Sequence, residues 1–328
     1  MALKRISDSI LYVGADDRTI DLFENQYPVS NGVTYNSYVI KDSKIAVMDT
    51  VDERATDQWF DNLEEAFEGK APDYLVVSHL EPDHSGNIER FLKKYPDTIV
   101  VANAKTFAML PQFIDIDVPE DKRFVAAEGT TLALGKHVLT FVMAPMVHWP
   151  EVMVEYESTE KVLFSADGFG TFGALGDRLK TSELENMPQS WADEARRYFI
   201  NIVGKYGPSV QGLLKKASAL DISVIAPLHG PVIDKDFDFY IDKYMKWSSY
   251  QPEEKGTVIA YSTLHGNTRK AALKLGDDLK KLSELALWQI RDRKYDTELT
   301  ARGVRTIYAY GVAFSGKQVE VAVEEIKK

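Results

Sequence analysis

Four ligand-type side chains fall within six residues in the segment Ser78-His79-Leu80-Glu81-Pro82-Asp83-His84-Ser85-Gly86-Asn87. In an extended chain alternate residues point the same way, so His79 and Glu81 can face one metal ion. Pro82 fixes the turn and opens a helix, from which Asp83 and His84 can swing to a second ion. The plainer reading is that Pro-Asp caps a helix start and that isolated histidines are structural. Three further residues weigh against it. His148, Asp167 and His229, in FVMAPMVHWPE, VLFSADGFG and VIAPLHGP, each stand where an expected strand runs out, and strand ends are where loops carry sites. The chain has no cysteine, which excludes disulfides, thiolate catalysis and any iron–sulfur or rubredoxin-type centre within it. Any metal is held by nitrogen and oxygen.

These loops need strands to position them. Short β-branched runs predict strands at Tyr35–Ile40, Ile45–Asp49, Tyr74–Val77 and Thr98–Ala102, separated by helices at Arg54–Phe67 and Asn87–Lys94. A second set follows at Leu139–Met143, Val152–Tyr156, Val162–Ser165 and Ser223–Ala226, with a long helix across Gln189–Ile202. Two successive sets predict two sheets packed face to face with helices outside, an αββα sandwich in an α+β chain. The polar, proline-containing segment Ser248–Lys255 is the best linker. After it a βα pattern restarts: a strand at Thr257–Tyr261, a turn at Ser262–Thr268 and a helix over Arg269–Lys281.

At 328 residues the chain suits a large domain and a smaller partner. No stretch approaches the roughly 20 apolar residues of a membrane span, and the N-terminus does not read as a secretory signal, so the expectation is a cytoplasmic protein without membrane contact. A net charge of −11 argues against nucleic acid, whose phosphates need clustered Lys and Arg.

The sequence resembles the flavodiiron proteins, which join a metallo-β-lactamase-like domain to a flavodoxin-like one. The resemblance rests on the ligand segment and on TYNSYVI at 34–40, MDTVD at 48–52, APMVHWPE at 144–151, LFSADGFG at 163–170 and IAPLHGP at 225–231. It implies a metallo-β-lactamase-like diiron domain at 1–250 and a shortened flavodoxin-like α/β unit at 256–328. It further implies one iron on His79, Glu81 and His148, another on Asp83, His84 and His229, and Asp167 bridging them. Glu81 stands where many hydrolytic relatives of this fold place a histidine, and its hard oxygen donor favours iron over zinc. A zinc hydrolase, with a metal-bound hydroxide attacking an ester-like bond, is the rival reading.

Weaker candidates stand apart from this set. Trp149 and Tyr198 could wall the pocket, though buried aromatics are commonly plain core. Asp49 could accept from a ligand histidine or simply form its turn. His137 reads as a surface residue.

In the tail, Thr263-Leu264-His265-Gly266-Asn267-Thr268 resembles the phosphate loop of flavodoxins, where hydroxyls and N–H groups at a helix start would cradle FMN. Residues 256–328 number only 73, about half a flavodoxin domain, with strands expected at Thr257–Tyr261, Glu284–Ile290 and Arg305–Tyr310 and a helix after the Ser315-Gly316 turn. The deletion removes the segment that would grip the flavin ring, so FMN is expected to be absent or weakly held. The resemblance then implies a diiron protein that binds dioxygen as a peroxo adduct and signals to a chemoreceptor or other signalling partner, as a homodimer. The alternative is an oxygen or nitric oxide reductase fed by FMN or by an external redox partner.

Overall fold

Side-chain alternation decides the architecture around the candidate ligands. In the strand Ile45–Met48, Ile45 and Val47 join one apolar cluster while Ala46 and Met48 join another. The same split runs through Tyr38–Lys41 and Tyr74–Val76. A strand buried on both faces belongs to the middle of a layered structure. The computed structural model describes residues 3–253, 259–292, 306–315 and 318–327. They form two units, Met1–Gln251 and Pro252–Lys328.

In the first unit one sheet runs in the order Ile10–Tyr12, Tyr38–Lys41, Ile45–Met48, Tyr74–Val76, Ile99–Asn103, Arg123–Ala126. The second runs Thr131–Ala133, Val138–Met143, Met153–Glu157, Val162–Phe164, Val224–Ala226. The cluster between the sheets includes Tyr38, Met48, Val76, Phe141, Met153 and Phe164. The outward faces lie under helices, and Trp59, Leu63, Phe91, Trp191, Tyr198 and Val210 belong to that other cluster. Ile45–Met48 pairs parallel with Tyr74–Val76, which pairs parallel with Ile99–Asn103, and Val162–Phe164 pairs parallel with Val224–Ala226. Parallel neighbours need crossovers, and Thr56–Phe67, Ile88–Lys94 and the helices Gln189–Tyr198 and Gly207–Ala217 lie in them. The fold is α+β with a metallo-β-lactamase-like αββα core.

Several expected elements change in detail. Tyr35–Ile40 is two strands, Val33–Tyr35 and Tyr38–Lys41, because Asn36 turns its side chain to the carbonyls of Pro227 and Gly230. The helix from Gln189 ends at Tyr198 and widens into a π-turn over Phe199–Val203. The short edge strands Ile10–Tyr12 and Arg123–Ala126 and the helix Phe237–Ser248 were not foreseen.

The second unit departs further. Its helix runs over Asn267–Asp292, so Glu284–Ile290 is helix and not strand; Leu, Glu, Ala and Trp there extend the amphipathic period of the preceding turns. Thr306–Ser315 is a strand, but the segment after it, Gln318–Lys327, is a second strand pairing back antiparallel rather than a helix. The alternating apolar residues of QVEVAVE carry a period of two, which suits a strand. Thr257 and Val258 lie outside the described residues, and Ile259–Tyr261 is not strand.

His137 is buried rather than a surface residue. Its Nδ1 meets Asp42 Oδ2 at 2.8 Å and its Nε2 meets Glu160 Oε1 at 3.2 Å, tying the turn after Tyr38–Lys41 in one sheet to turns of the other. Burial alone would lower its pKa, but the bonds to Asp42 and Glu160 outweigh that and raise it. A raised folded-state pKa gives stability that is full below the ordinary value near 6.5 and lost as pH climbs through the folded one. His137→Gln should therefore lower Tm by about 2–4 °C at pH 6, the effect of roughly 1 kcal/mol in a domain of this size, and by less at pH 9. Thermal melts at the two pH values check this, and an equal loss at both contradicts it.

Candidate metal centre

The sequence motifs outside the ligand segment turn out to be its supports. In MDTVD, Asp49 adopts a left-handed φ of 55° and its Oδ1 accepts the Ser78 N–H at 2.7 Å. Thr50 donates from Oγ1 to the His84 carbonyl at 2.7 Å. In TYNSYVI, Thr34 Oγ1 accepts from Gly230 N, while Asn36 and Tyr38 bind the carbonyls flanking His229. Gly230 is obligatory: its φ is +77° and an added Cβ would lie 2.1 Å from Thr171 Cγ2. In SADGFG, the Phe169 N–H donates to Tyr244 Oη at 2.5 Å.

Held in this way, the seven expected residues converge. His79, Glu81, His148 and Asp167 form one group, and Asp83, His84 and His229 another. Asp167 faces both: its Oδ2 lies 3.4 Å from His79 Nε2 and 3.1 Å from His148 Nε2, and its Oδ1 lies 3.3 Å from His84 Nε2 and 3.8 Å from His229 Nε2. Within the groups, Glu81 Oε2 is 2.9 Å from His148 Nε2, and Asp83 Oδ2 is 3.1 Å from His229 Nε2. An ion about 2.1 Å from each donor leaves neighbouring donors about 3.0 Å apart in octahedral and about 3.4 Å apart in tetrahedral geometry. The separations match a cage around each of two ions.

The electrostatics make the same demand. His79 Nε2 and both oxygens of Asp83 and of Asp167 are buried without a hydrogen-bond partner, a cost seldom tolerated without a bound group. Burial depresses the His84 and His148 imidazoles, yet Asp83 beside His84 and Asp167 beside His148 outweigh it, and both are pushed up to about 9. Burial likewise raises Asp167, but His148 and His84 hold it well below the carboxylate range. Without metal this pocket draws protons; it is built to hold positive charge. Four imidazoles and three carboxylates, with donor atoms left open, fit two divalent cations.

Ring orientation is set from behind. Glu151 Oε1 meets His79 Nδ1 at 2.8 Å and also accepts the Leu80 N–H, leaving Nε2 to face the site. The Thr34 carbonyl takes His229 Nδ1 at 2.5 Å. Sequence reasoning missed both; Glu151 was legible as the last residue of HWPE, whereas a backbone carbonyl leaves no mark in sequence. Glu24 was missed as well. It sits on a turn in which Glu24 and Asn25 both have positive φ, and it reaches Glu81 at the mouth. Burial and then the Glu81 carboxylate push it up to about 8. Trp149 and Tyr198 wall the pocket, their rings 5.2 Å from His79 and 5.5 Å from His229. Asp49 holds the loop backbone rather than a histidine. An apolar cavity of about 690 Å³ lies elsewhere, between the helices Gly207–Ala217 and Phe237–Ser248, and is lined by none of the seven.

Thr263–Thr268 forms an exposed turn leading into the helix Asn267–Asp292, with Gly266 N donating to Thr263 Oγ1 at 2.9 Å. Among the described residues of this unit the only sheet is the antiparallel pair Thr306–Ser315 and Gln318–Lys327.

A family model described as ODP family beta lactamase matches residues 33–230. The nitric oxide reductase of Moorella thermoacetica is 34% identical over 278 residues, covering 84% of this chain and 68% of that one. The chain belongs to the flavodiiron protein family. Among solved structures, the flavodiiron protein from Giardia intestinalis superposes with a TM-score of 0.79 at 26% identity, over 86% of this chain and 68% of that one. The rubredoxin oxygen:oxidoreductase from Desulfovibrio gigas superposes with a TM-score of 0.76 at 25% identity, over 89% and 69%. The chain thus spans about two thirds of the length of these relatives. Among the described residues no helix is long and apolar enough to cross a membrane.

Glu151→Gln should weaken cobalt(II) binding at the His79 group by about 10–100-fold while leaving the His229 group unchanged. Calorimetric titration of the metal-free protein resolves the two steps. Unaltered affinity at both would contradict the orienting role.

Proposed function

We propose that this chain holds two iron ions, one on His79, Glu81 and His148 and one on Asp83, His84 and His229, with Asp167 between them, and that the site reduces dioxygen or nitric oxide. The observation that carries the reading is Asp167, whose two buried oxygens each turn to a different ligand group and have no hydrogen-bond partner. The named activities of the Moorella and Desulfovibrio relatives support it. The iron pair would supply the redox chemistry: four electrons and four protons turn dioxygen into two waters, or two electrons and two protons turn two nitric oxides into nitrous oxide and water.

The chain's own residues prepare the site. Glu151 and the Thr34 carbonyl fix the His79 and His229 rings so that both Nε2 atoms face inward. Phe23, Tyr35 and Tyr198 pack about His229 at ring separations of 5.4, 6.2 and 5.5 Å, and Trp149 closes over His79, so bulk water is kept off the histidine walls. Glu81 is the most exposed ligand, its side chain 12% accessible against 9% for Asp83 and 8% for His148, and it marks the mouth. Electrons would reach the site from FMN or from an external redox donor.

A second reading, that the chain binds dioxygen and signals to a chemoreceptor or other partner, is favoured by the form of the second unit. Anaerobically iron-loaded protein decides between them. The reductase reading expects about two irons per chain and repeated consumption of nitric oxide or dioxygen with a reduced rubredoxin-type or flavin donor. A single stoichiometric uptake of dioxygen without turnover would establish the sensor instead. A zinc-only protein with hydrolytic activity would overturn both.

A further inference from the structure

A further buried carboxyl lies behind the ligand loop and takes no part in the site described above. Glu155, in the middle of the strand Met153–Glu157, is 0% exposed. Its strand neighbours on either side are Phe141 and Phe164, and it points into the layer between the two sheets, on the same side as Met153. Its Oε2 is 2.9 Å from Ser78 Oγ, and its Oε1 has no partner among the described residues. Among the described residues no Lys or Arg is paired with it. An isolated carboxylate in such a place is strongly disfavoured, so the group is a neutral acid.

Its position ties it to the site. Ser78 immediately precedes His79, and the same residue donates its N–H to Asp49 Oδ1 at 2.7 Å. Asp49 and Glu155 therefore approach one serine from opposite sheets. The groups facing Glu155 are Asp49 at the end of one strand and the Ser78–His79 segment at the end of the next; the strands on either side of its own add Phe141 and Phe164 as flanks. Burial and then the Asp49 charge both raise the Glu155 pKa well above the carboxylate range. Burial also raises Asp49, to about 6, which leaves it mainly ionised at neutral pH.

This inference rests on the diiron reading. Two ferrous ions bring four positive charges; Glu81, Asp83 and Asp167 offset three, and Glu151 and Asp49 one each, leaving about one negative charge while Glu155 is neutral. Two ferric ions would leave about one positive charge. Ionising Glu155 only in the oxidised state brings the buried cluster back to neutrality, and ionising it in the reduced state would take it further away. We propose that Glu155 is a redox-linked proton store of the centre, holding its proton while the irons are reduced and releasing it when they are oxidised. On oxidation two electrons pass to the oxidant, one Glu155 O–H bond breaks and the proton leaves through the Ser78 hydroxyl to bulk water. The carboxylate left behind keeps Ser78 as its donor. Glu155 touches no ligand and is a positioning and charge-balancing residue.

The test uses iron-loaded full-length protein, reduced anaerobically and oxidised with ferricyanide, which supplies no protons. Infrared difference spectra of wild type should show loss of one protonated carboxyl C=O band on oxidation, and Glu155→Gln should lack that change. A pH indicator in unbuffered solution should count one proton fewer per chain released by the variant, and its reduction potential should depend less steeply on pH. Equal proton counts in the two proteins, or a wild-type carboxyl band unchanged by oxidation, overturn the proposal. The wild-type band is read without any variant, so a poorly folding Glu155→Gln leaves the test intact. Protein that takes up no iron removes the diiron reading and this one together, and is recognised separately by metal analysis.

Discussion

Asp167 is wholly buried among four imidazoles, and its two oxygens have no hydrogen donor of their own. A carboxylate so placed is tolerable only next to concentrated positive charge, and each oxygen is turned toward a different group of ligands. Much else in the first unit serves that requirement. Strand ends from both sheets must meet at one edge of the sandwich to bring His79, His148, Asp167 and His229 together. The MDTVD and TYNSYVI motifs then act as braces that fix the loops bearing those residues.

The ligands were legible because chemistry and local geometry coincided. His79 and Glu81 alternate along an extended segment, Pro82 opens the helix Pro82–Ser85 that turns Asp83 and His84 toward the second group, and the remaining ligands end strands of strong β-branched character. The αββα layering was legible for the same reason, since Ile45–Met48 and its neighbours are apolar on both faces. What escaped the sequence was carried by long-range contacts. The Thr34 carbonyl, the reach of Glu24 over Glu81 and the His137 clamp depend on chain segments distant in sequence. No local pattern encodes them. The tail failed differently: Glu284–Ile290 is apolar enough for a strand, but its continuation of the helical period from Asn267 prevails.

In the second unit the exposed turn at Thr263–Thr268 leads into the helix Asn267–Asp292, and the described sheet is an antiparallel pair. In the first unit Glu151, Asp49 and Glu155 form a set of buried carboxyls behind the ligand segment, each hydrogen-bonded to its residues Ser78, His79 or Leu80.

Iron-edge anomalous diffraction from anaerobically loaded crystals tests the central claim most directly. Two peaks of comparable height on either side of Asp167, one within bonding distance of His79, Glu81 and His148 and the other of Asp83, His84 and His229, are the predicted result. A single peak, or peaks that appear only at the zinc edge, would contradict it.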